Sequence, residues 1–289
     1  MDETRELLRQ TVTLLERIAA ALPEPPRPPD WAASIAFRWR RKDGRGALQP
    51  LAHPHAIRLS DLRGIDEQKR RIDQNTRQFV AGHGANNVLL TGARGTGKSS
   101  LVKALLNQYA RKGLRLIEVD KSDLMDLADI AELAAGRPER FVLFCDDLSF
   151  EAAEPGYKAL KSVLDGSAAS VPKNILLYAT SNRRHLMPEY LAENLETTHA
   201  GEEIHPGEAV EEKISLSERF GLWLSFYPFG QDGYLEIVRH WLRRFGVDAA
   251  AIAAAREEAL LWALERGSRS GRSAWQFARD YAGRHGRGG

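Results

Sequence analysis

Asn87-Val88-Leu89-Leu90-Thr91-Gly92-Ala93-Arg94-Gly95-Thr96-Gly97-Lys98-Ser99-Ser100 runs from a short apolar segment through a glycine-rich turn into a helix-like stretch. Residues 92–99 fit the pattern GxxxxGK[ST], and the flanking strand and helix are the context in which that pattern binds phosphate. Glycines let the loop curl with its amides turned inward, and the following helix start adds partial positive charge. Lys98 is expected to reach phosphate oxygens and Ser99 to ligate magnesium. Residues 92–100, Ser100 included, form the expected nucleotide-binding segment.

Around this loop, short apolar runs at 87–90, 114–119, 141–145, 174–179 and 222–226 alternate with helix-like stretches. Strands buried on both faces read as continuous apolar runs, so the pattern predicts a five-stranded parallel sheet in an α/β domain. After Pro228 helical periodicity takes over at 234–245, 249–265 and 274–284, which predicts a small all-helical lid domain. The run Phe141-Val142-Leu143-Phe144-Cys145 ends in Asp146-Asp147, the Walker B arrangement of four apolar residues and an acid. In such folds carboxylates at a strand's carboxyl end lie beside the loop. Asp146 is expected to hold hydrated magnesium and Asp147 to polarise the attacking water. Glu151, in the same segment, is the alternative to Asp147.

The third of these strands ends in Tyr178-Ala179-Thr180-Ser181-Asn182-Arg183, which resembles the sensor 1 position of the AAA+ ATPases. Asn182 is the expected sensor and Thr180 the alternate; the plainer reading of Asn182 is a turn cap. Ser217-Glu218-Arg219-Phe220-Gly221 is similar to the AAA+ box whose arginine reaches a neighbouring subunit's nucleotide, so the resemblance implies that Arg219 acts in trans. A surface ion pair is the plainer alternative. Ser268-Arg269-Ser270-Gly271-Arg272 opens the last helix, where the family places sensor 2. There Arg272, with Arg269 in reserve, would bind the γ-phosphate. These motifs follow the AAA+ order over residues 57–285, and their wording resembles one bacterial family, the domain of unknown function family 815. The resemblance implies predicted P-loop ATPases that use ATP and magnesium, a ring-like homo-oligomer, and adenine lying against residues 62–65.

The chain divides by pattern into an N-terminal helix (1–22), a Pro-rich and basic linker (23–56), the nucleotide-binding α/β domain (57–229) and the helical lid (230–289). Leu7, Leu8, Val12, Leu14, Leu15, Ile18 and Leu22 give the first helix one apolar face. It reads as a docking or packing helix, with oligomerisation as the alternative. In the linker, Arg38, Arg40, Arg41, Lys42 and Arg45 oppose Asp43 alone and surround Trp39. Basic residues beside an aromatic suggest phosphate contacts with base stacking, against a solvated linker or a strand packed on the main domain. Arg266, Arg279, Arg284 and Arg287 form a second basic stretch.

Across 289 residues, 41 Lys plus Arg oppose 39 Asp plus Glu for a net charge of +2, which argues against holding nucleic acid by overall positive charge. The balance is local: between 188 and 217, eight glutamates (Glu189, Glu193, Glu196, Glu202, Glu203, Glu208, Glu211 and Glu212) face a single Lys213. Such an insert repels phosphate and suits a neighbouring subunit or basic partner. Its His199 and His205 lack the spacing of a metal site. Hydrophobic residues at 43% exclude general disorder. A lone Cys145 fits a reducing compartment, the first residues lack a signal-peptide layout, and no apolar run approaches a ~20-residue span. A cytoplasmic protein without membrane contact is therefore expected.

The stretch 120–127 after the second strand holds no aromatic, which weakens a peptide-threading role. The expected function is magnesium-dependent ATP hydrolysis coupled to oligomer assembly and remodelling of a protein or nucleic-acid complex. The alternative is a nucleotide-gated binding module or scaffold with little hydrolysis, raised by Asp147 where many relatives carry Glu. A P-loop kinase would share the loop and the acid, but it needs neither Arg219 nor a helical lid.

Overall fold

In the computed structural model, Val88–Gly92 (β3), Leu114–Glu118 (β4), Arg140–Cys145 (β5), Ile175–Ser181 (β6) and Leu222–Phe226 (β9) coincide with the five expected strands to within about two residues. The structure describes residues 2–21, 29–42, 44–150, 154–165, 172–183, 186, 198–200, 203–205 and 217–285. Among them the sheet has seven strands rather than five, because Ala36–Lys42 (β1) and Arg45–Pro50 (β2) join it in the order β2-β1-β4-β5-β6-β3-β9. β1 pairs in parallel with β4 and antiparallel with β2, so the sheet is parallel except at that edge. Thr198–Ala200 (β7) and Glu203–His205 (β8) form a separate antiparallel hairpin within the acidic insert.

The segment expected as linker is thus structural from Trp31 onward. Trp31 packs edge-on against Phe37 and Phe141 with ring centroids at 4.9 and 4.7 Å. The period-2 alternation of a strand sends Phe37 and Trp39 into the core, where Trp39 is 3% exposed. Base stacking by Trp39 is excluded by this burial. The arginines beside them meet carboxylates of this same chain: Arg38 pairs with Glu118 at 2.5 Å, Arg40 with Asp120 at 2.6 Å and Arg41 with Asp126 at 3.3 Å. The Trp39 indole N–H also donates to Asp126, at 2.9 Å. What reads in sequence as a basic patch is a strand matched to an acidic edge.

Asp66–Val80 (α2) and Lys98–Tyr109 (α3) cover one face of the sheet through Ile72, Phe79, Leu101 and Leu105. Leu127–Ala134 (α4) and Pro155–Asp165 (α5) cover the other through Ile130, Tyr157 and Leu160. Gln231–Arg244 (α6), Ala249–Ala254 (α7), Arg256–Glu265 (α8) and Gly271–His285 (α9) enclose a core of their own around Tyr234, Leu242, Phe277 and Tyr281. The helix expected over 249–265 is interrupted only at Ala255, whose carbonyl still accepts from Ala259 N–H at 2.9 Å. Asp2–Ala21 (α1) forms as expected, with Leu7, Leu8, Val12, Leu14 and Leu15 between 51% and 60% exposed. No helix among the described residues is long and apolar enough to cross a membrane.

Replacing Trp39 by Phe keeps most of the ring and deletes the donor to buried Asp126. A buried acceptor that loses a partner costs about 1–3 kcal/mol. Urea unfolding of Trp39→Phe is expected to show a loss of that order; an unchanged midpoint would contradict the structural role given to this strand.

Candidate functional site

Parallel register places the three chemically loaded strand ends side by side. Thr91 of β3 is opposite Ser181 of β6, and Cys145 of β5 is opposite Ala179 of β6. The residues that follow, Gly92, Asp146 and Asn182, therefore emerge next to one another at the carboxyl edge. Gly92 has φ 124°, and a Cβ there would lie 1.9 Å from the Phe226 carbonyl oxygen, so the loop leaves the sheet against β9 only because the position is glycine.

Lys98 opens α3 and is 5% exposed. Its Nζ donates to the carbonyls of Gly92 at 2.6 Å and Ala93 at 2.8 Å, and to Asn182 Oδ1 at 2.9 Å. Burial pushes its pKa down, opposed by Asp147 and Asp146 and reinforced by Arg94 and Arg272. The Asn182 amide also donates from Nδ2 to Asp147, so one side chain ties the lysine to the second acid. Asp146 Oδ1 accepts from Ser99 Oγ at 2.6 Å and from Thr180 Oγ1 at 2.6 Å. Thr180 Oγ1 in turn accepts from Asp147 N–H at 2.9 Å. That bond holds Asp147 at φ 54°, the left-handed region, where Asp is better tolerated than most residues. A serine hydroxyl and a carboxylate oxygen in contact are hard oxygen donors of the kind Mg²⁺ takes.

A cavity of about 780 Å³ opens over these groups. Residues 94–100, Asp146, Asp147, Thr180, Asn182 and Arg272 give it a polar wall, while Ile57, Leu62, Ile65, Phe229, Ile237 and Trp241 give it an apolar one. The combination suits a ligand with a polyanionic end and a flat apolar end. The lid closes over the loop through α9, whose Gly271 N–H donates to the Gly95 carbonyl at 2.8 Å. Gly95 has φ 73°, and a Cβ there would come within 2.8 Å of the Ser270 Cβ.

The family model described as a protein of unknown function, DUF815, matches residues 32–285. The chain belongs to the DUF815 family. Among solved structures it is similar to the Aeropyrum pernix ORC1 protein in complex with DNA, with a TM-score of 0.50 and 16% identity over 78% of this chain and 62% of that one. The Thermotoga maritima RuvB Holliday junction branch migration motor gives 0.49 and 16% over 77% and 63%. The E. coli MS115-1 HORMA:CdnC:Trip13 complex gives 0.45 and 13% over 76% and 89%. At 16% identity the likeness to ORC1 is one of fold alone, that of the AAA+ P-loop NTPases, and the chain spans less than two thirds of the ORC1 and RuvB chains. No curated protein matches the chain.

In this DUF815 member most of the sequence-predicted residues converge on the cavity. Residues 94–99, Ser100, Asp146, Asp147, Asn182 and Arg272 line the cavity, and Gly92 and Ala93 hold Lys98 from behind. Thr180, 1% exposed, braces both acids from below. Arg219 stands apart from the cavity lining, paired with Asp165 at the end of α5; the ion pair weighed as its plainer reading is present. Arg269 is exposed and outside the lining, and Glu151 and Arg287 lie outside the described residues. Leu62, Arg63 and Ile65, in the segment expected against adenine, line the cavity, whereas sequence reasoning missed His55, Asp61, Trp241 and Trp275. Only the helical periodicity of the lid carried any signal for the tryptophans, and it placed them merely on helices.

Thr180→Val is nearly isosteric and removes the acceptor for Asp147 N–H. Loss of about 1–3 kcal/mol in urea unfolding is expected, with retention of the full stability as the contrary result.

Proposed function

We propose that the chain binds ATP in this cavity and hydrolyses it with magnesium, coupling the cycle to assembly of a ring-like homo-oligomer. The observation that carries the reading is the linked pair of hydrogen-bond chains, Ser99–Asp146–Thr180 and Lys98–Asn182–Asp147, at the mouth of the phosphate loop. Ser99 and Asp146 fit a magnesium ion. Those two residues would hold the ion, which would supply neutralisation of the negative charge that develops on the phosphoryl group.

Each side chain then has a distinct task. Loop amides and Lys98 hold the phosphates, the lysine exchanging carbonyl partners for phosphate oxygens. Asp147 accepts a hydrogen bond from the attacking water at its carboxylate and draws proton density toward that oxygen. Asn182 keeps that carboxylate aimed. Arg272 forks onto the γ-phosphate from the lid. Arg219, supplied by a neighbouring copy, stabilises transferred-phosphoryl charge, an effect worth ~10³ to 10⁵ in rate. The client is a protein or nucleic-acid complex, and the pairing of Arg38, Arg40 and Arg41 with their own chain's carboxylates removes strand β1 from the candidate phosphate contacts.

A second reading, a nucleotide-gated binding module with little hydrolysis, is favoured by the shorter Asp147 being engaged by Asn182. Phosphate release from purified protein with ATP and Mg²⁺ separates the two. Sustained turnover abolished by Lys98→Ala supports the ATPase; binding of nucleotide without turnover supports the module. Asp147→Asn is expected to retain ATP while losing at least about 100-fold in turnover. Arg219→Ala is expected to bind nucleotide and lose at least about 1,000-fold; wild-type turnover in that variant would remove the arginine from the mechanism.

A further inference from the structure

Asp61 is a carboxylate that the proposed chemistry does not use, yet it is 2% exposed and lines the cavity. It ends a 3-10 turn, Leu59–Asp61, just ahead of the residues that form the apolar wall. Its Oδ2 accepts from Arg58 N–H at 2.9 Å, within its own turn. Its Oδ1 faces the lid, 3.2 Å from Arg244 Nη1 and 3.4 Å from His240 Nε2, both on α6. A buried carboxylate is retained only with partners that offset its desolvation, and two of the three here belong to a different structural layer.

Among the described residues, two polar ties of different strength therefore hold the lid beside the cavity. At the phosphate loop the tie is one neutral backbone bond, from Gly271 to Gly95. Beside the apolar wall it is a charged cluster on a buried carboxylate, with Arg244 itself 38% exposed; parting it leaves that carboxylate buried without its cation, which costs more than losing one neutral bond. Trp241, edge-on to His240 with centroids at 5.3 Å, also lines the cavity, so α6 carries the cluster and part of the wall together. A lid that opened would part first at the weaker tie and turn about the stronger one.

We propose that Asp61, gripping Arg244 and His240, is the fixed point of the lid and sets how long a nucleotide stays in the cavity. Asp61 is a positioning residue here, acting through α6 and not on the phosphates. The proposal rests on nucleotide occupying this cavity. His240 supplies a readout that a merely structural role would not move. Burial holds its pKa below the ordinary 6.5, with Arg63 and Arg244 pushing the same way and Asp61 opposing. In an open lid the ring returns to about 6.5, so the open form takes up the proton more readily. The grip is at full strength above that value and weakens as pH falls through it.

The test is release of N-methylanthraniloyl-ADP from the full chain, chased with ADP and followed by stopped flow. Arg244→Met leaves the 3-10 turn intact and is expected to speed release at least about 10-fold. Asp61→Asn should do likewise, and the double variant should release no faster than the faster single, because Asp61→Asn already removes the contact that Arg244→Met removes. Wild-type release should accelerate between pH 7.5 and 5.5, and His240→Gln should flatten that dependence. Unchanged release in Arg244→Met, or single effects that multiply in the double variant, would overturn the proposal while leaving the nucleotide site intact. A wild-type chain that never retains the probe would overturn the nucleotide reading itself, and this inference with it.

Discussion

Everything at the candidate site depends on the register between β6 and its two neighbours. Parallel strands joined by crossovers cannot slip by one residue without turning every side chain to the opposite face. Here a slip would bury Asp146 or Asn182 in a sheet covered by helices on both sides. The apolar runs on β3, β5 and β6 exclude that outcome, because their alternate residues fill two separate cores. Core packing and site geometry are therefore one constraint: the residues that fix the register also fix the 2.6 Å contacts among Ser99, Asp146 and Thr180. Asp147 shows the same coupling at the scale of one residue. Its left-handed backbone is held by the side chain of the neighbouring strand, so the second acid is aimed by the sheet rather than by its own loop.

What was legible in the sequence was what local pattern encodes. The glycine-rich loop, the five apolar runs and the acids after Cys145 are each contained in fewer than about ten residues, and each lies where its pattern places it. What was not legible depends on partners far along the chain. Residues 36–50 look like a basic linker because their counterions, Glu118, Asp120 and Asp126, come some 80 residues later. The period-2 placement of Phe37 and Trp39 was the available signal for a strand, and the density of arginine hid it. Asp61 gave no signal at all. A single acid before a glycine-containing turn is ordinary, and its importance arises only when α6, about 180 residues on, is folded against it.

The same long-range pairing changes how the net charge of +2 is read. Part of the apparent excess near the N-terminus is consumed inside the molecule, in ion pairs along the β1–β4 boundary. These pairs are partly exposed and individually worth little stability. Their contribution is specificity: the two strands share a short parallel pairing, and complementary charge favours this edge over competing alignments. The hairpin with β2 then leaves a six-residue strand ending in Pro50 at that edge. There Gly46 admits the Trp39 ring across the ladder, because any Cβ would overlap it.

Charge at the cavity follows a different rule, because there it is gathered rather than cancelled along an edge. Lys98, Arg94 and Arg272 face Asp146 and Asp147 within one pocket. Cations alone would serve a bare phosphate chain, and two carboxylates among them would repel it. On the proposed reading, the acids make sense only for a phosphate that arrives with its own cation. That requirement discriminates metal-complexed nucleotide from free polyphosphate by repulsion as much as by attraction. The apolar wall then needs to supply no charge recognition, and Asp61, the one buried carboxylate among the described residues on that side, is left for the proposed lid role.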